Sequence, residues 1–263
     1  MLKADIEDQI ADKLYEAERH VYEVDKFTEQ FPELNVELGY DIQDKLIEIK
    51  CKEEQAKISG WKLGLTSKSK QEMMGVHEPS YGVLLDSMQL FEGEPISTQS
   101  LIHAKVEPEI AFIFNKEISG GVISVTDVLD ATAYITPAME IIDSRYRNFD
   151  FTLPDVVADN SSSSRYILGE RLYQVNDVDL RLMGMVFKKN GEIIETSAGA
   201  SVMGHPARAV AWLANKLQKR GQRIKPGEVV LSGALSKAFS IAAGDHFSVS
   251  FDGIGTLEAA FKE

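Results

Sequence analysis

The stretch HAKVEPEIAF, residues 103–112, places two glutamates beside an apolar run. Val106, Ile110 and the apolar residues after them predict a β-strand, and residues two apart in a strand point to the same face. Glu107 and Glu109 would therefore stand side by side next to a buried segment. Like charges this close raise each other's pKa unless a cation lies between them. The pattern raises the question of what neutralises the pair.

The composition around this stretch is that of an ordinary globular protein. The chain has 263 residues, of which 44% are hydrophobic and 26% charged, and this length allows one large domain or one domain with a smaller appendage. A net charge of −13 without a long basic run argues against nucleic acid and anionic membranes as partners. The single cysteine, Cys51, and the lack of an apolar signal segment at the start lead us to expect a cytoplasmic protein.

The chain divides into two parts with different sequence patterns, which together predict an α+β fold. Residues 1–58 carry apolar side chains at helical spacing and predict a helical N-terminal portion, with Asn35 as the N-cap of a second helix. Residues 59–263 consist mainly of short β-prone runs separated by glycines and predict a β-rich catalytic domain.

Three local signals add detail to the second part. Asn190-Gly191 predicts the turn of a β-hairpin within residues 180–199. Pro206 and Gly221 bracket a helix predicted over residues 205–221, and a short helix is expected to begin at Thr126.

Acidic residues are the first candidates for chemistry. Glu140 ends another apolar run, in PAMEIIDSR, and could join Glu107 and Glu109. Three oxygen donors that meet at one point suit Mg²⁺ or Mn²⁺. The alternative is that each glutamate is solvated on an edge strand, as most isolated carboxylates are. The spacing alone leaves both interpretations open.

Lys62 and Asp86 are the second pair of candidates. Lys62 lies between Trp61 and Leu63 and could act as a general acid or base or as a carboxylate clamp, although lysines also extend from strand edges into solvent. Asp86 follows a strand-like run and could serve as a base or as the partner of Lys62. An ordinary turn aspartate is the alternative.

The segment DSRYRNFDFTLPDVVADNSSSSRYILG, residues 143–169, supplies candidates for substrate binding. Arg145, Asn160, Ser162 and Arg165 could form a dicarboxylate site, because guanidinium binds carboxylate in a bidentate manner. Loop composition alone would also explain the Asn-Ser run. The chain contains neither a phosphate-binding loop motif nor a nucleophile elbow, which argues against nucleotide binding and serine hydrolysis.

Several motifs, taken in order, resemble the fumarylacetoacetate-hydrolase-like superfamily, in its branch of 2-oxopent-4-enoate hydratases and 4-oxalocrotonate decarboxylases. They are KLGLTSK, EPEIAF, PAMEIIDSRY, VVADNSSSSRYILG, GHPARAVAWLANKL and LSGAL, and the likeness extends over about residues 35–262. The resemblance implies a mixed β-roll body behind the helical portion. It implies Mg²⁺ or Mn²⁺ held by Glu107, Glu109 and Glu140, with Lys62 and Asp86 as the catalytic residues. That cation would neutralise the glutamate pair.

Within this branch the segment from Asp143 to Arg165 resembles the decarboxylases. This implies decarboxylation of 2-oxohex-3-enedioate (4-oxalocrotonate) to 2-oxopent-4-enoate and CO₂ in meta-cleavage catabolism of aromatic compounds. Arg145 or Arg165, with Ser162, would then hold the departing carboxylate. The alternative is the hydration of 2-hydroxypenta-2,4-dienoate, which a compact pocket or an Arg165 side chain pointing away from the cavity would favour.

Two further alternatives and the expected partners complete the prediction. Acylpyruvate hydrolysis is disfavoured because no His-Glu pair stands out in the N-terminal part, and a non-catalytic assembly subunit is disfavoured by the intact acidic residues. The resemblance implies a small dicarboxylate substrate, a homo-oligomer and a complex with the hydratase of the same pathway.

Overall fold

A computed structural model of the chain describes residues 3–73 and 75–263, so that Met1 and Leu2 of the predicted helical portion lie outside the described residues. Two helices come first, and the strands that follow form two mixed sheets, which confirms the predicted α+β class. The helices are α1 (Lys3–Arg19), α2 (Val36–Glu53), α3 (Lys68–Met73), α4 (Val125–Ala131), α5 (Leu153–Ala158) and α6 (Pro206–Lys219).

Thirteen strands make up the sheets in the described part of the chain. They are β1 (Ile58–Gly64), β2 (Ser80–Leu85), β3 (Gln89–Leu90), β4 (Ile96–Ser97), β5 (Lys105–Phe114), β6 (Thr132–Ile142), β7 (Ser163–Leu168), β8 (Gly184–Lys189), β9 (Glu192–Ala198), β10 (Val229–Leu231), β11 (Phe239–Ser240), β12 (His246–Phe251) and β13 (Gly255–Lys262). The larger sheet runs β2-β1-β10-β5-β6-β7-β3, with β11 added to β5, and the smaller sheet runs β4-β13-β12-β8-β9.

The helical portion has a small apolar core of its own. α1 and α2 pack on each other through buried residues such as Ile10 and Ile42. Tyr146, in the segment that follows β6, belongs to the same core. The Asn35 side chain accepts a hydrogen bond from Leu38 N–H at 3.1 Å, as predicted for an N-cap. α2 ends at Glu53 and β1 already begins at Ile58. The division into domains at residues 58 and 59 stays a prediction.

The local signals of the second part are confirmed in two cases and corrected in one. Asn190 and Gly191 both have positive φ and connect β8 to β9, as a two-residue hairpin turn requires. α6 begins at Pro206, as predicted. The short helix α4, however, starts at Val125, because Ser124 and Asp127 form a reciprocal capping box that places the N-cap two residues before Thr126.

Membrane crossing can be assessed from helix length and apolarity. Among the described residues, no helix combines the two properties that a membrane span requires.

A cluster of buried charges joins the helical portion to the larger sheet. Glu18 of α1 accepts a hydrogen bond from Lys50 Nζ at 2.7 Å, and its carboxylate oxygens lie 3.7 Å from the guanidinium nitrogens of Arg145 and of Arg165. Burial raises the pKa of Glu18, but the three cations outweigh burial and lower this pKa to about 2. The folded state therefore holds Glu18 as a charged carboxylate.

We expect Glu18→Gln to lower the free energy of unfolding at pH 7 by about 3 kcal/mol, since a pKa near 2 in the folded state lies well below that of an unfolded glutamate. The stabilisation is fully present above pH 4.5 and is lost as the pH falls toward 2. Chemical denaturation of both proteins over this range would measure it. Glu16→Gln is the matched control on α1, because its His20 pair is exposed. A difference independent of pH would instead assign the loss to packing.

Candidate active site

Three carboxylates meet on one face of the larger sheet. Glu107 and Glu109 lie on β5, and Glu107 stands directly opposite Glu140 of the antiparallel neighbour β6. One oxygen of each carboxylate can be chosen so that all three lie within 4.8 Å of one another. All three side chains are buried, Glu109 and Glu140 completely. Alternation along β5 aligns Glu107 with Glu109, as predicted from the sequence, and the register between β5 and β6 adds Glu140.

The electrostatics of this cluster call for a cation. Burial raises the pKa of Glu109 well above its usual value, and Glu140 adds to the effect. Burial also raises the pKa of Glu140 to about 7, although Lys62 opposes it. Glu109 Oε1 and Glu140 Oε1 are buried and accept no hydrogen bond from the described part of the chain. Two such oxygens beside a third buried carboxylate, that of Glu107, form a set of hard oxygen donors that fits a divalent cation such as Mg²⁺ or Mn²⁺.

A backbone amide fixes the second oxygen of Glu109. Gly233 N–H donates to Glu109 Oε2 at 2.7 Å. Gly233 has a φ of 102°, and a Cβ at this position would lie 2.3 Å from Thr66 Oγ1. Only glycine fits here, because both the backbone conformation and the contact exclude a side chain. This glycine belongs to the LSGAL motif, whose sequence pattern alone gives it no role.

Lys62 brings one positive charge to the carboxylates. It lies on β1, is 2% exposed, and places Nζ 3.0 Å from Glu140 Oε2. Nζ also donates to the Ser161 carbonyl at 3.1 Å. Burial lowers the pKa of Lys62, but the neighbouring glutamates outweigh burial and the net pKa is raised. This direction favours the ammonium form of Lys62, which suits donation of a proton or stabilisation of negative charge.

Asp86 does not lie beside Lys62, which corrects the expected pairing. Lys62 is opposite Gly82 in the register of β1 and β2, whereas Asp86 follows the far end of β2, about 13 Å away along the strand. Asp86 is exposed, and its carboxylate accepts a hydrogen bond from Lys57 N–H at 2.8 Å. Glu140 is the acidic partner of Lys62 instead.

A strained turn lies against Lys62. Asn160, Ser161 and Ser162 all have positive φ, between 49° and 57°, a backbone conformation that is unfavourable for residues with a side chain. The Asn160 side chain accepts from Val83 N–H at 2.7 Å and donates to its carbonyl at 2.9 Å, which holds the turn on β2. The turn directs the Ser161 carbonyl to Lys62 and brings Ser162 to the cavity beside the cluster. Of the residues predicted to bind substrate, Ser162 is placed to do so, whereas Asn160 supports the turn.

Neither arginine predicted to bind substrate lines that cavity. Arg145 is 1% exposed, and its guanidinium pairs with the Asp159 carboxylate and donates to the Asp159 carbonyl at 2.6 Å. Arg165 is opposite Ile141, so it lies on the face of the sheet away from Glu140. These placements correct the predicted role of both residues. The guanidinium groups neutralise buried carboxylates of the protein itself.

The cavity next to the cluster has a volume of about 380 Å³. Aromatic and aliphatic side chains, including Phe149 and Phe151, form much of its wall. The polar residues that line it are Lys62, Ser80, Lys105, Glu107, Ser161, Ser162 and Lys237. Lys105 was not among the residues predicted from the sequence, although alternation along the strand places it on the same face as Glu107. Once the glutamates hold a divalent cation, the cavity can accept an anionic group beside that cation and further negative charge near Lys105.

The match to known proteins agrees with this geometry. A family profile described as "Fumarylacetoacetate (FAA) hydrolase C-terminal" matches residues 46–262. The chain belongs to the fumarylacetoacetate hydrolase family. The resemblance that the motifs indicated is therefore confirmed.

Relatives within the fumarylacetoacetate hydrolase family include both activities weighed above. 4-Oxalocrotonate decarboxylase of Pseudomonas putida is 42% identical over 253 residues, which cover 96% of this chain and 95% of that protein. 2-Hydroxyhexa-2,4-dienoate hydratase of Comamonas testosteroni is 38% identical over 253 residues, covering 95% of this chain and 96% of the relative.

A solved structure of the fumarylacetoacetate hydrolase family confirms the predicted β-roll body. It is that of 4-oxalocrotonate decarboxylase from Pseudomonas putida G7, complexed with magnesium and adipate. It superposes with a TM-score of 0.95 at 39% sequence identity and covers 99% of each chain.

We expect Glu109→Gln to reduce the affinity for Mg²⁺ and Mn²⁺ by about 100-fold or more, because one of three charged ligands is lost. The metal-free variant should be at least as stable as the parent, since the substitution removes a buried like charge. Calorimetric titration with Mn²⁺ and thermal unfolding in chelator would measure the two effects. Glu170→Gln, at an exposed position, is the matched control. Unchanged metal affinity in Glu109→Gln would move the metal site elsewhere.

Proposed function

We propose that the protein decarboxylates 2-oxohex-3-enedioate to 2-oxopent-4-enoate and CO₂, with Mg²⁺ or Mn²⁺ as cofactor, in meta-cleavage catabolism of aromatic compounds. The observation that carries the proposal is the buried cluster of Glu107, Glu109 and Glu140, with Lys62 beside it, at a cavity that also presents two other lysines. The 42% identity to a 4-oxalocrotonate decarboxylase supports it.

The substrate is suited to loss of its far carboxylate. Its C3–C4 double bond conjugates the C2 carbonyl to C5, so that electrons released at C5 can move to the C2 oxygen. When bound by the three glutamates, the divalent cation supplies Lewis acidity toward that oxygen. The C5–C6 bond breaks, CO₂ leaves with C6, and the resulting dienolate takes a proton at C3 to give 2-oxopent-4-enoate.

Residues of the chain perform the remaining tasks. The Lys62 ammonium stabilises negative charge that develops on the substrate and can donate a proton to it. Ser162 Oγ is buried and has no hydrogen-bond partner within the described residues, so it is free to bind the substrate head. Phe149 and Phe151 line the cavity and limit its water, which favours conversion of a charged carboxylate into neutral CO₂.

Hydration of 2-hydroxypenta-2,4-dienoate is the second candidate, and one observation favours it. Arg165 points away from the cavity, so the guanidinium expected to recognise a second carboxylate is not there. Lys105 and Lys237, however, give the cavity positive charge that a monocarboxylate does not need. We therefore favour the decarboxylase.

The assembly and location of the protein remain part of the proposal. We propose a homo-oligomer that associates with the hydratase of the same pathway in the cytoplasm. Gel filtration of the protein alone and with such a hydratase would test both associations, and a monomer that stays separate would contradict them.

Offered 2-oxohex-3-enedioate, metal-stripped protein should release CO₂ only after Mg²⁺ or Mn²⁺ is added. The same preparation should consume 2-hydroxypenta-2,4-dienoate slowly or not at all. CO₂ evolution and the loss of diene absorbance would measure the two reactions. Rapid loss of the diene without CO₂ release would establish the hydratase instead.

Substitution of Lys62 by Met should lower kcat for CO₂ release by about 100- to 1,000-fold, because a charge that stabilises the transition state is lost. Metal affinity should be retained, since the three glutamates remain. Lys57→Met, at an exposed position just before β1, is the control and should keep its kcat. A normal kcat in the Lys62 variant would remove this residue from the chemistry.

A further inference from the structure

Lys105 lies in line with the metal-binding carboxylates. It is the first residue of β5, and alternation places its side chain on the same face as Glu107 and Glu109. Its Cα is about 7 Å along the strand from that of Glu107. A substrate whose 2-oxo acid head lies at the glutamates and whose chain extends along β5 would bring its far end to Lys105.

The Lys105 ammonium is attracted by the charge of Glu107, two residues along the strand, but it forms no close ion pair within the described part of the chain. Its Nζ lies 3.7 Å from the centroid of the Phe149 ring, and it takes part in none of the ion pairs found among residues 3–73 and 75–263. The side chain is half-buried and lines the cavity. An ammonium held over an aromatic face in a partly desolvated cavity is available to an incoming anion.

The other cationic candidates are less suitable. Arg165 lies on the opposite face of the sheet, and Arg145 is taken up by Asp159. Lys237 lines the cavity but is exposed, with Nζ 5.2 Å from the Phe239 ring centroid. Because water screens an exposed charge, Lys237 contributes less to binding than a half-buried one.

We propose that Lys105, seated on Phe149, is the residue that recognises the second carboxylate of the substrate and so selects a dicarboxylate over a monocarboxylate. The inference rests on the decarboxylase function proposed above. A single ammonium contact suits this task, because a bidentate guanidinium would stabilise the carboxylate in the ground state and oppose its loss as CO₂. The Phe149 ring fixes the position of the ammonium from the other side.

Two unreactive ligands isolate the contribution of the second carboxylate. 2-Oxoadipate and 2-oxohexanoate share the 2-oxo acid head and the chain length, and only the former ends in a carboxylate. Calorimetric titration of the Mg²⁺-loaded protein should give about 10- to 100-fold tighter binding of 2-oxoadipate. Lys105→Met should abolish that preference while binding 2-oxohexanoate as the parent does.

Three further variants sharpen the test. Lys105→Gln should behave like Lys105→Met, and agreement between the two variants would show that the effect does not come from misfolding of one of them. Arg165→Met should keep the full preference, since this side chain lies outside the cavity, and Lys237→Met should reduce the preference by less than Lys105→Met does. A preference that survives both Lys105 substitutions, or one that Arg165→Met removes, overturns the proposal. Equal weakening of both ligands also overturns it, because Lys105 would then act on the head or on the fold.

The failure of this proposal and that of the function are distinguishable. CO₂ release by the unmodified protein tests the function, whereas the ratio of the two binding constants tests Lys105. An unmodified protein that binds both ligands equally would overturn the role of Lys105 even if CO₂ were released.

Discussion

The mutual repulsion of three buried carboxylates is the constraint on which the rest of the site depends. Glu107, Glu109 and Glu140 can be kept charged in the interior only if positive charge lies among them. Lys62 supplies one such charge, from a strand separated from β5 by β10. One cation against three anions leaves a deficit of two, which matches a divalent metal ion. Burial, with a smaller contribution from Glu107, raises the pKa of Glu140, and a divalent cofactor would offset both effects.

A second set of buried charges, next to the turn that contacts Lys62, stabilises the position of that turn. Asp159 and Arg145 pair in the interior and hold the start of the turn in which three successive residues have positive φ. Burial raises the pKa of Asp159 to about 7, although Arg145 opposes it. Glu18 then connects Arg145 to Lys50 of α2. The N-terminal helices thus pack against one another and also supply the carboxylate of Glu18, which helps to neutralise Arg145.

In the proposed mechanism the two ends of the cavity have different tasks. The glutamates and Lys62 would form the end that stabilises an enolate, which both decarboxylation and hydration require. The other end differs in what it offers to the rest of the substrate: a lysine over an aromatic ring and a second, exposed lysine. Relatives named for a decarboxylase and for a hydratase are both similar to this chain over nearly its full length. Under our proposal, the residues at the far end of the cavity select between the two kinds of substrate.

The sequence by itself determined the α+β class, the hairpin at Asn190-Gly191 and the shared face of Glu107 and Glu109, because strand alternation and turn chemistry are local properties. The order of its motifs indicated the family and, through that resemblance, the addition of Glu140. The same alternation places Lys105 on the face of Glu107. A lysine at the start of a strand is usually solvated, so the sequence did not mark Lys105 as a functional residue. Only the tertiary structure decided the partners of Arg145, Arg165 and Asp86. Glu18, which lies near both arginines, is distant from them in the chain, and so is Lys57 from Asp86. The face of the sheet on which Arg165 lies depends on strand register, which the sequence does not reveal.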